Sequence, residues 1–334
     1  MTGDSPKPAL LIPSSTRVEY TDVPPALEAS LQRDFPQLRV VVARSEEAFV
    51  QELPHCEILV TAKLKPEHYA LCRKLKWIHS PMAGVTQLLF PELAASNVIV
   101  TNGRTVHAIP VAEQALALIF ALARRLPACF RFQTASHWGQ DESWRPGRVP
   151  FELHGKTLGL VGLGAIGTEM VARVRPLGMR VIAVKRDPSR GGEFADQVYP
   201  PSQLRDVLAQ ADFVVLAAPD LPETRHLIGR SELECMKPFA FLINVARGSL
   251  VDTEALLHAL QAGVIAGAGL DVTDPEPLPH DHPLWKLPNV IITPHLGGAS
   301  DRFWEREAAL LCENLHRYLA REPLLNVVDK KRGY

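Results

Sequence analysis

The stretch Thr157-Leu-Gly-Leu-Val-Gly-Leu-Gly-Ala-Ile-Gly167 runs a short apolar strand into Gly162-x-Gly164-x-x-Gly167, and residues 168–174 continue it as a helix. Each glycine has its own task in such a turn. Gly162 permits the tight bend, Gly164 lets backbone approach a pyrophosphate, and Gly167 lets helix and strand pack closely. Ala165 and Ile166 lie in the loop as further cofactor-binding candidates, and the N-terminus of the helix that follows offers free N–H groups and positive potential to a phosphate. The order strand, loop, helix predicts a nucleotide-binding unit; a glycine-rich turn with no ligand is the plainer alternative.

That unit stands inside a longer pattern. Short β-branched runs alternate with helical stretches along the whole chain, which predicts strand-helix-strand units and parallel sheets. One series comprises residues 9–12, 38–42, 58–61, 77–79 and 98–101, and a second comprises 157–161, 180–184, 213–217, 240–244, 266–270 and 290–293. Six strands is the content of a full dinucleotide-binding sheet. Between the series, residues 109–126 are apolar on nearly every side, as in a buried helix joining two domains, and residues 130–150 read as an irregular arm. Trp304, Ala308, Leu311, Leu315 and Leu319 recur at helical spacing over residues 301–321, so the chain should return to pack a helix on a sheet already built. A single core stops growing at about 250 to 300 residues, and 334 residues therefore favour two domains. The expected fold is α/β with two doubly wound parallel-sheet domains. A Rossmann dinucleotide-binding domain, residues 105–296, is inserted into a flavodoxin-like substrate domain made of residues 1–104 and 297–334.

Composition narrows the classes of function. With 36 Lys+Arg against 37 Asp+Glu the net charge is -1, so nucleic acid is not an expected partner. The longest uncharged apolar run, residues 115–123, is far short of the roughly 20 residues a bilayer needs, and the N-terminus lacks a signal-like pattern. A cytoplasmic protein without a membrane partner is expected. Cys56, Cys72, Cys129, Cys235 and Cys312 form no Cys-x-x-Cys pair and read as reduced, mostly buried side chains; no metal site is expected from the scattered histidines.

In an open parallel sheet the ligand lies beyond the carboxyl ends of the strands. The strand that follows the glycine loop ends in Val184-Lys185-Arg186, where an NAD-binding chain would place an acid for the ribose. Two cations suit a 2′-phosphate instead, which favours NADP(H); NAD(H) remains open if Lys185 and Arg186 are merely solvated and Asp187 turns in. The later strand ends supply Pro219 and Thr224, then Val245, Ala246 and Arg247, then Asp271, then His295. An arginine, an aspartate and a histidine thus share one rim.

The array Asn244-Val-Ala-Arg-Gly-Ser-Leu-Val-Asp252, Gly269-Leu-Asp-Val-Thr-Asp-Pro-Glu-Pro277 and Thr293-Pro-His295 resembles the D-isomer-specific 2-hydroxyacid dehydrogenases. The likeness extends upstream through the glycine loop and Val111-Ala-Glu113. The run Leu270 to Leu278 is most similar to the glyoxylate/hydroxypyruvate reductase branch, whose preference for NADPH agrees with Lys185-Arg186. The resemblance implies His295 as acid/base, Glu276 as its partner, Arg247 as substrate anchor and Asp271 as acceptor for the nicotinamide carboxamide. The chemistry asks for such a set: reducing a 2-oxo acid requires a hydride at C2 and a proton at the carbonyl oxygen. Histidine carries a proton near neutrality, a carboxylate stabilises the imidazolium, and a guanidinium forks onto a carboxylate. Singly, each has a duller role, as a surface ion pair, a solvated loop acid, a capping histidine or a turn residue.

For the substrate side, Ser80-Pro-Met-Ala-Gly-Val-Thr86 follows a strand, and its small residues let successive N–H groups face a carboxylate. By resemblance Ala83, Gly84 and Val85 are backbone donors and Met82 a pocket wall; a plain turn is the alternative. Trp144 resembles an aromatic that the reductase branch places in a neighbouring subunit's pocket, with core packing an equal alternative, and Glu113 reads as a buried, paired acid. The family also implies a homodimer through residues 109–150. The reaction expected is NADPH-dependent reduction of glyoxylate or hydroxypyruvate to the 2-hydroxy acid. The alternatives are a reductase of bulkier 2-oxo acids using NADH, or a nucleotide-sensing, corepressor-like binding protein.

Overall fold

Strands apolar along their whole length hide their period-two alternation until burial is resolved face by face. In the computed structural model, which describes residues 7–14, 22–147, 149–189 and 191–334, that alternation is regular. Val181 and Ala183 pack into one core with Phe213, Val215, Phe241 and Ile243, whereas Ile182, Val184, Val214, Leu216 and Leu242 pack into another. One sheet therefore lies between two apolar layers, which is why its strands carry almost no polar residue.

The described chain divides into two compact units, one built from the residues up to His107 together with Ser300–Tyr334, the other from Ala108–Ala299. The first holds β1 (Ala9–Pro13), β2 (Arg39–Ala43), β3 (Cys56–Val60), β4 (Trp77–Ser80) and β5 (Ile99–Asn102), all parallel, in the order β2-β1-β3-β4-β5. This is the flavodoxin-like order. Its C-terminal helix, Phe303–Ala320, lays Leu311 and Leu315 against Leu10, Ile12, Ile58 and Trp77.

The second unit holds β6 (Thr157–Val161), β7 (Arg180–Val184), β8 (Gln197–Tyr199), β9 (Phe213–Leu216), β10 (Phe241–Asn244), β11 (Gly267–Leu270) and β12 (Val290–Ile292). Its order is β12-β11-β10-β9-β6-β7-β8, parallel throughout. Counted from β6 this is the doubly wound nucleotide-binding order with one strand added at the β12 edge, and the order reverses between β6 and β9. The sheet has seven strands where six were expected, because β8 has only three residues and no alternation to reveal it. The helix Ala108–Ala123 buries Val111, Ala115, Leu118 and Ile119 in the core with Leu158 and Ile243.

Three further expectations are corrected. The arm is partly helical, over Leu126–Thr134 and Gln140–Ser143. Among the cysteines only Cys56 is buried; Cys129 is exposed and the others are half-buried. Glu113 is no buried acid: it lies on the exposed side of its helix, 3.2 Å from Arg173.

Candidate active site

The glycine loop leaves β6 and enters the helix Ala165–Val174. Gly162 has φ +104°, open to glycine at little cost, and a Cβ there would lie 2.7 Å from the backbone of Ala217 at the end of β9. Gly164 is different. Its φ is negative, and a Cβ would meet no protein atom within 4 Å, so the open space in front of it is what a glycine preserves. The amides of Ala165, Ile166 and Gly167 donate to no acceptor among the described residues, and Thr168 is the first to bond back, to the Gly164 carbonyl at 2.9 Å. An open cradle and three unpaired first-turn amides fit a pyrophosphate.

Beside it, β7 hands on to Lys185, whose N–H donates to Tyr199 O at 2.9 Å. Arg186 is exposed and pairs with Glu223 at 3.2 Å, and Asp187 accepts from the amide and hydroxyl of Ser189. The Thr224 hydroxyl is engaged in its own turn, accepting from Leu221 N–H at 2.8 Å and donating to Pro219 O at 2.8 Å.

Adjacent strands β10, β11 and β12 bring the remaining groups to successive positions on one rim, with Asn244 paired to Leu270 and Leu270 to Ile292. After β10, Asn244 holds the turn through Val245 and Ala246: its Oδ1 accepts from Ala246 N–H and its Nδ2 donates to Arg247 O. Arg247 is half-buried; among the described residues its guanidinium bonds only the Ala246 carbonyl, at 2.6 Å, and pairs with no carboxylate. The next residue, Gly248, lies so close to the loop after β11 that a Cβ would be 2.0 Å from the Thr273 carbonyl, which seats the Arg247 turn against the Thr273 segment leading to Glu276. Glu276 Oε1 accepts from His295 Nδ1 at 2.6 Å, while the ring's Nε2 has no partner among the described residues and the side chain is exposed.

His295 itself sits at φ +53°, a left-handed conformation uncommon outside glycine. Asp271, 2% exposed, holds it there. The Asp271 carbonyl accepts from His295 N–H at 2.9 Å, and its carboxylate accepts from Leu296 N–H at 2.9 Å, Gly297 N–H at 2.8 Å and Thr293 Oγ1 at 2.6 Å. Gln114 joins from the apolar helix, donating to Thr293 Oγ1 at 2.9 Å. Sequence reasoning missed Gln114, Thr293 and Asn244 as parts of the rim. The one signal for Gln114 is an uncharged amide in a helix whose only other polar residue is Glu113.

In the first unit, the loop after β4 carries the amides of Ala83, Gly84 and Val85, none of which donates to an acceptor among the described residues. Met82 and Ala83 are half-buried and Gly84 is exposed, whereas the Val85 side chain belongs to the core beneath. Trp144 is 67% exposed, so core packing within its own chain is excluded.

Residues 116–297 match the family model described as D-isomer specific 2-hydroxyacid dehydrogenase, NAD binding domain. The chain is 37% identical over 289 residues to a glyoxylate reductase of Thermococcus litoralis, an alignment covering 84% of this chain and 85% of that one. It is 34% identical over 294 residues to a glyoxylate reductase of Korarchaeum cryptofilum, covering 86% and 87%. Among solved structures, a D-isomer specific 2-hydroxyacid dehydrogenase from Xanthobacter autotrophicus Py2 in complex with NADPH and MES superimposes with a TM-score of 0.83 at 30% identity, covering 98% of this chain and all of the other.

Proposed function

The chain belongs to the D-isomer specific 2-hydroxyacid dehydrogenase family, and from that premise we propose that it reduces glyoxylate or hydroxypyruvate with NADPH, His295 supplying the proton. The observation that carries this reading is the His295–Glu276 pair, bonded through Nδ1 with Nε2 left for another partner, on the rim that also presents an arginine without a carboxylate.

Held by the glycine loop, the cofactor would supply the hydride that C2 receives. The chain's own residues do the rest. His295 gives its Nε2 proton to the carbonyl oxygen, breaking N–H as O–H forms, and Glu276 stabilises the imidazolium beforehand and fixes the ring. Arg247 forks onto the carboxylate and the keto oxygen, where negative charge grows as hydride arrives. The amides of Ala83, Gly84 and Val85 receive the carboxylate, and Met82 walls the pocket. Asp271 accepts from the nicotinamide carboxamide in addition to holding the His295 turn.

Three observations support NADPH. No acid ends β7, Lys185 and Arg186 stand there, and Asp187 is occupied with Ser189. The exposed Arg186–Glu223 pair is worth little by itself, so a phosphate dianion displaces Glu223 at small cost. The NADPH complex of the Xanthobacter relative is in keeping with this. The same reading makes the protein cytoplasmic and a homodimer through its arm.

Steady-state rates over 2-oxo acids of increasing size, each with NADPH and NADH, test the proposal. The highest kcat/KM is expected for glyoxylate and hydroxypyruvate with NADPH; a clear NADH preference or a preference for bulky acids removes that part. His295→Ala should lose roughly 10³-fold or more in kcat while still binding NADPH. Turnover retained in that variant would reject the proton-donor role.

A further inference from the structure

The Ala83 and Gly84 amides after β4 are oriented by the carbonyls that precede them. Pro81 O accepts from His107 Nε2 at 3.0 Å, Met82 O from Gly103 N–H at 3.1 Å, and Ala83 O from Asn102 Nδ2 at 2.8 Å. A trans peptide is planar, with its C=O and the following N–H antiparallel. Fixing the Ala83 carbonyl therefore fixes the Gly84 N–H in the opposite direction, and fixing the Met82 carbonyl does the same for Ala83 N–H. Gly103 can approach this closely only without a side chain, since a Cβ there would lie 2.4 Å from Pro81 O.

Asn102 is well placed to impose a direction. It is 1% exposed at the end of β5, in register with Ser80 across the sheet. Its N–H donates to Asn326 O and its carbonyl accepts from Asn326 Nδ2 at 3.1 Å, so its backbone is held on both sides. One residue deeper, a buried chain ties the same strand ends together. Trp77 Nε1 donates to Thr101 Oγ1 at 2.8 Å, Thr101 Oγ1 meets His79 Nδ1 at 2.8 Å, and His79 Nε2 meets Glu307 Oε1 of the C-terminal helix at 2.8 Å. An indole N–H is a donor only. Thr101 therefore accepts from Trp77, and His79 joins Thr101 to Glu307. The frame under the loop is thus tied from β4 and β5 to the C-terminal helix by buried hydrogen bonds.

We propose that Asn102 is a positioning residue for the 2-oxo acid: through the Ala83 carbonyl it orients the peptide that presents the Gly84 N–H, and so sets substrate affinity without touching substrate. The inference rests on the loop's part in the proposed function. Removing contacts that hold the carboxylate equally in ground and transition states raises KM and leaves kcat.

The experiment compares Asn102→Leu and the isosteric Asn102→Asp with Gly84→Pro, which deletes the exposed amide itself. For both Asn102 variants, KM for glyoxylate is expected to rise roughly tenfold or more, as the loss of one oriented bond implies. The expected change in kcat is under about threefold, and the NADPH Kd, from fluorescence titration, should stay within about twofold. Gly84→Pro should do the same. An unchanged KM in an Asn102 variant that binds NADPH normally overturns the inference, as does a parallel rise in the NADPH Kd. If Gly84→Pro raises KM and Asn102→Leu does not, only the role of Asn102 fails. If Gly84→Pro leaves KM unchanged while Arg247→Lys raises it, the loop is not the carboxylate site, and the reading of the loop falls with it. Should Asn102→Leu not fold, Asn102→Asp is read by the same criteria.

Discussion

His295 occupies a backbone conformation that costs of order 1–3 kcal/mol for a residue with a side chain, and the cost is met by one neighbour. Asp271 engages its carbonyl and both carboxylate oxygens in the turn from Thr293 to Gly297. A buried carboxylate so occupied clamps the turn that carries His295. Asp271→Ala leaves two amides and a hydroxyl without an acceptor, which costs about 2 kcal/mol. Scanning calorimetry should show a midpoint lower by roughly 4 to 8 °C. Turnover should fall about a hundredfold as His295 loses its aim. An unshifted midpoint would mean that the turn holds itself. Motif reading found Asp271 but not this duty, because the partners are backbone N–H groups, which every sequence possesses and only the folded turn assembles.

The C-terminal helix shows the same division one level up. Its apolar spacing is plain in Trp304, Ala308, Leu311, Leu315 and Leu319, and so is the conclusion that it covers an existing sheet. The polar pin is not plain. Tyr318 stacks on Trp77 of β4, with ring centroids 5.5 Å apart, and its hydroxyl donates to Glu57 Oε1 of β3 at 2.7 Å. Burial, and then the bond to Glu57, raises the Tyr318 phenol well above its ordinary value of about 10. A phenol held protonated by folding contributes stability that is fully present below the unfolded value and lost as pH rises past it. Urea midpoints should therefore place Tyr318→Phe about 1 kcal/mol below the parent at pH 8, the bond's typical worth. The gap should narrow between about pH 10 and 11, where the unfolded tyrosine ionises. A gap constant over that range would show that the fold does not suppress ionisation. The strand β8 and the helix Leu126–Thr134 mark the limit of such reading: three residues are too few for a period, and a helix that buries none of its residues has no core-facing stripe to find.

That helix and the segment after it leave Phe130 60%, Trp138 85% and Trp144 67% exposed, more aromatic surface than a stable monomer normally shows. A second copy of the chain is the expected cover. Sedimentation should report twice the chain's mass, and Phe130→Asp combined with Trp138→Ser should return a monomer that still binds NADPH; a parent that sediments as a monomer at micromolar concentration would refute the dimer.

The two parallel sheets and all but one of their strands could be read in advance, to within one or two residues. Hydrophobic period, glycine spacing and strand-end motifs are local properties, imposed by steric limits on each residue and by burial on both faces of a sheet. The rim positions of Arg247, Asp271 and His295 were legible for the same reason, since each follows a strand and strand ends share an edge, whereas Glu276 was legible only through the resemblance of its motif. What folding alone decided is how polar groups far apart in the chain pair: Asp271 with the His295 turn, Asn102 with the Ala83 carbonyl, His79 with Glu307. Hydrogen bonds need donor and acceptor within about 3 Å and aligned, and no regularity of the chain encodes which groups the packing of a helix on a sheet will bring to that distance.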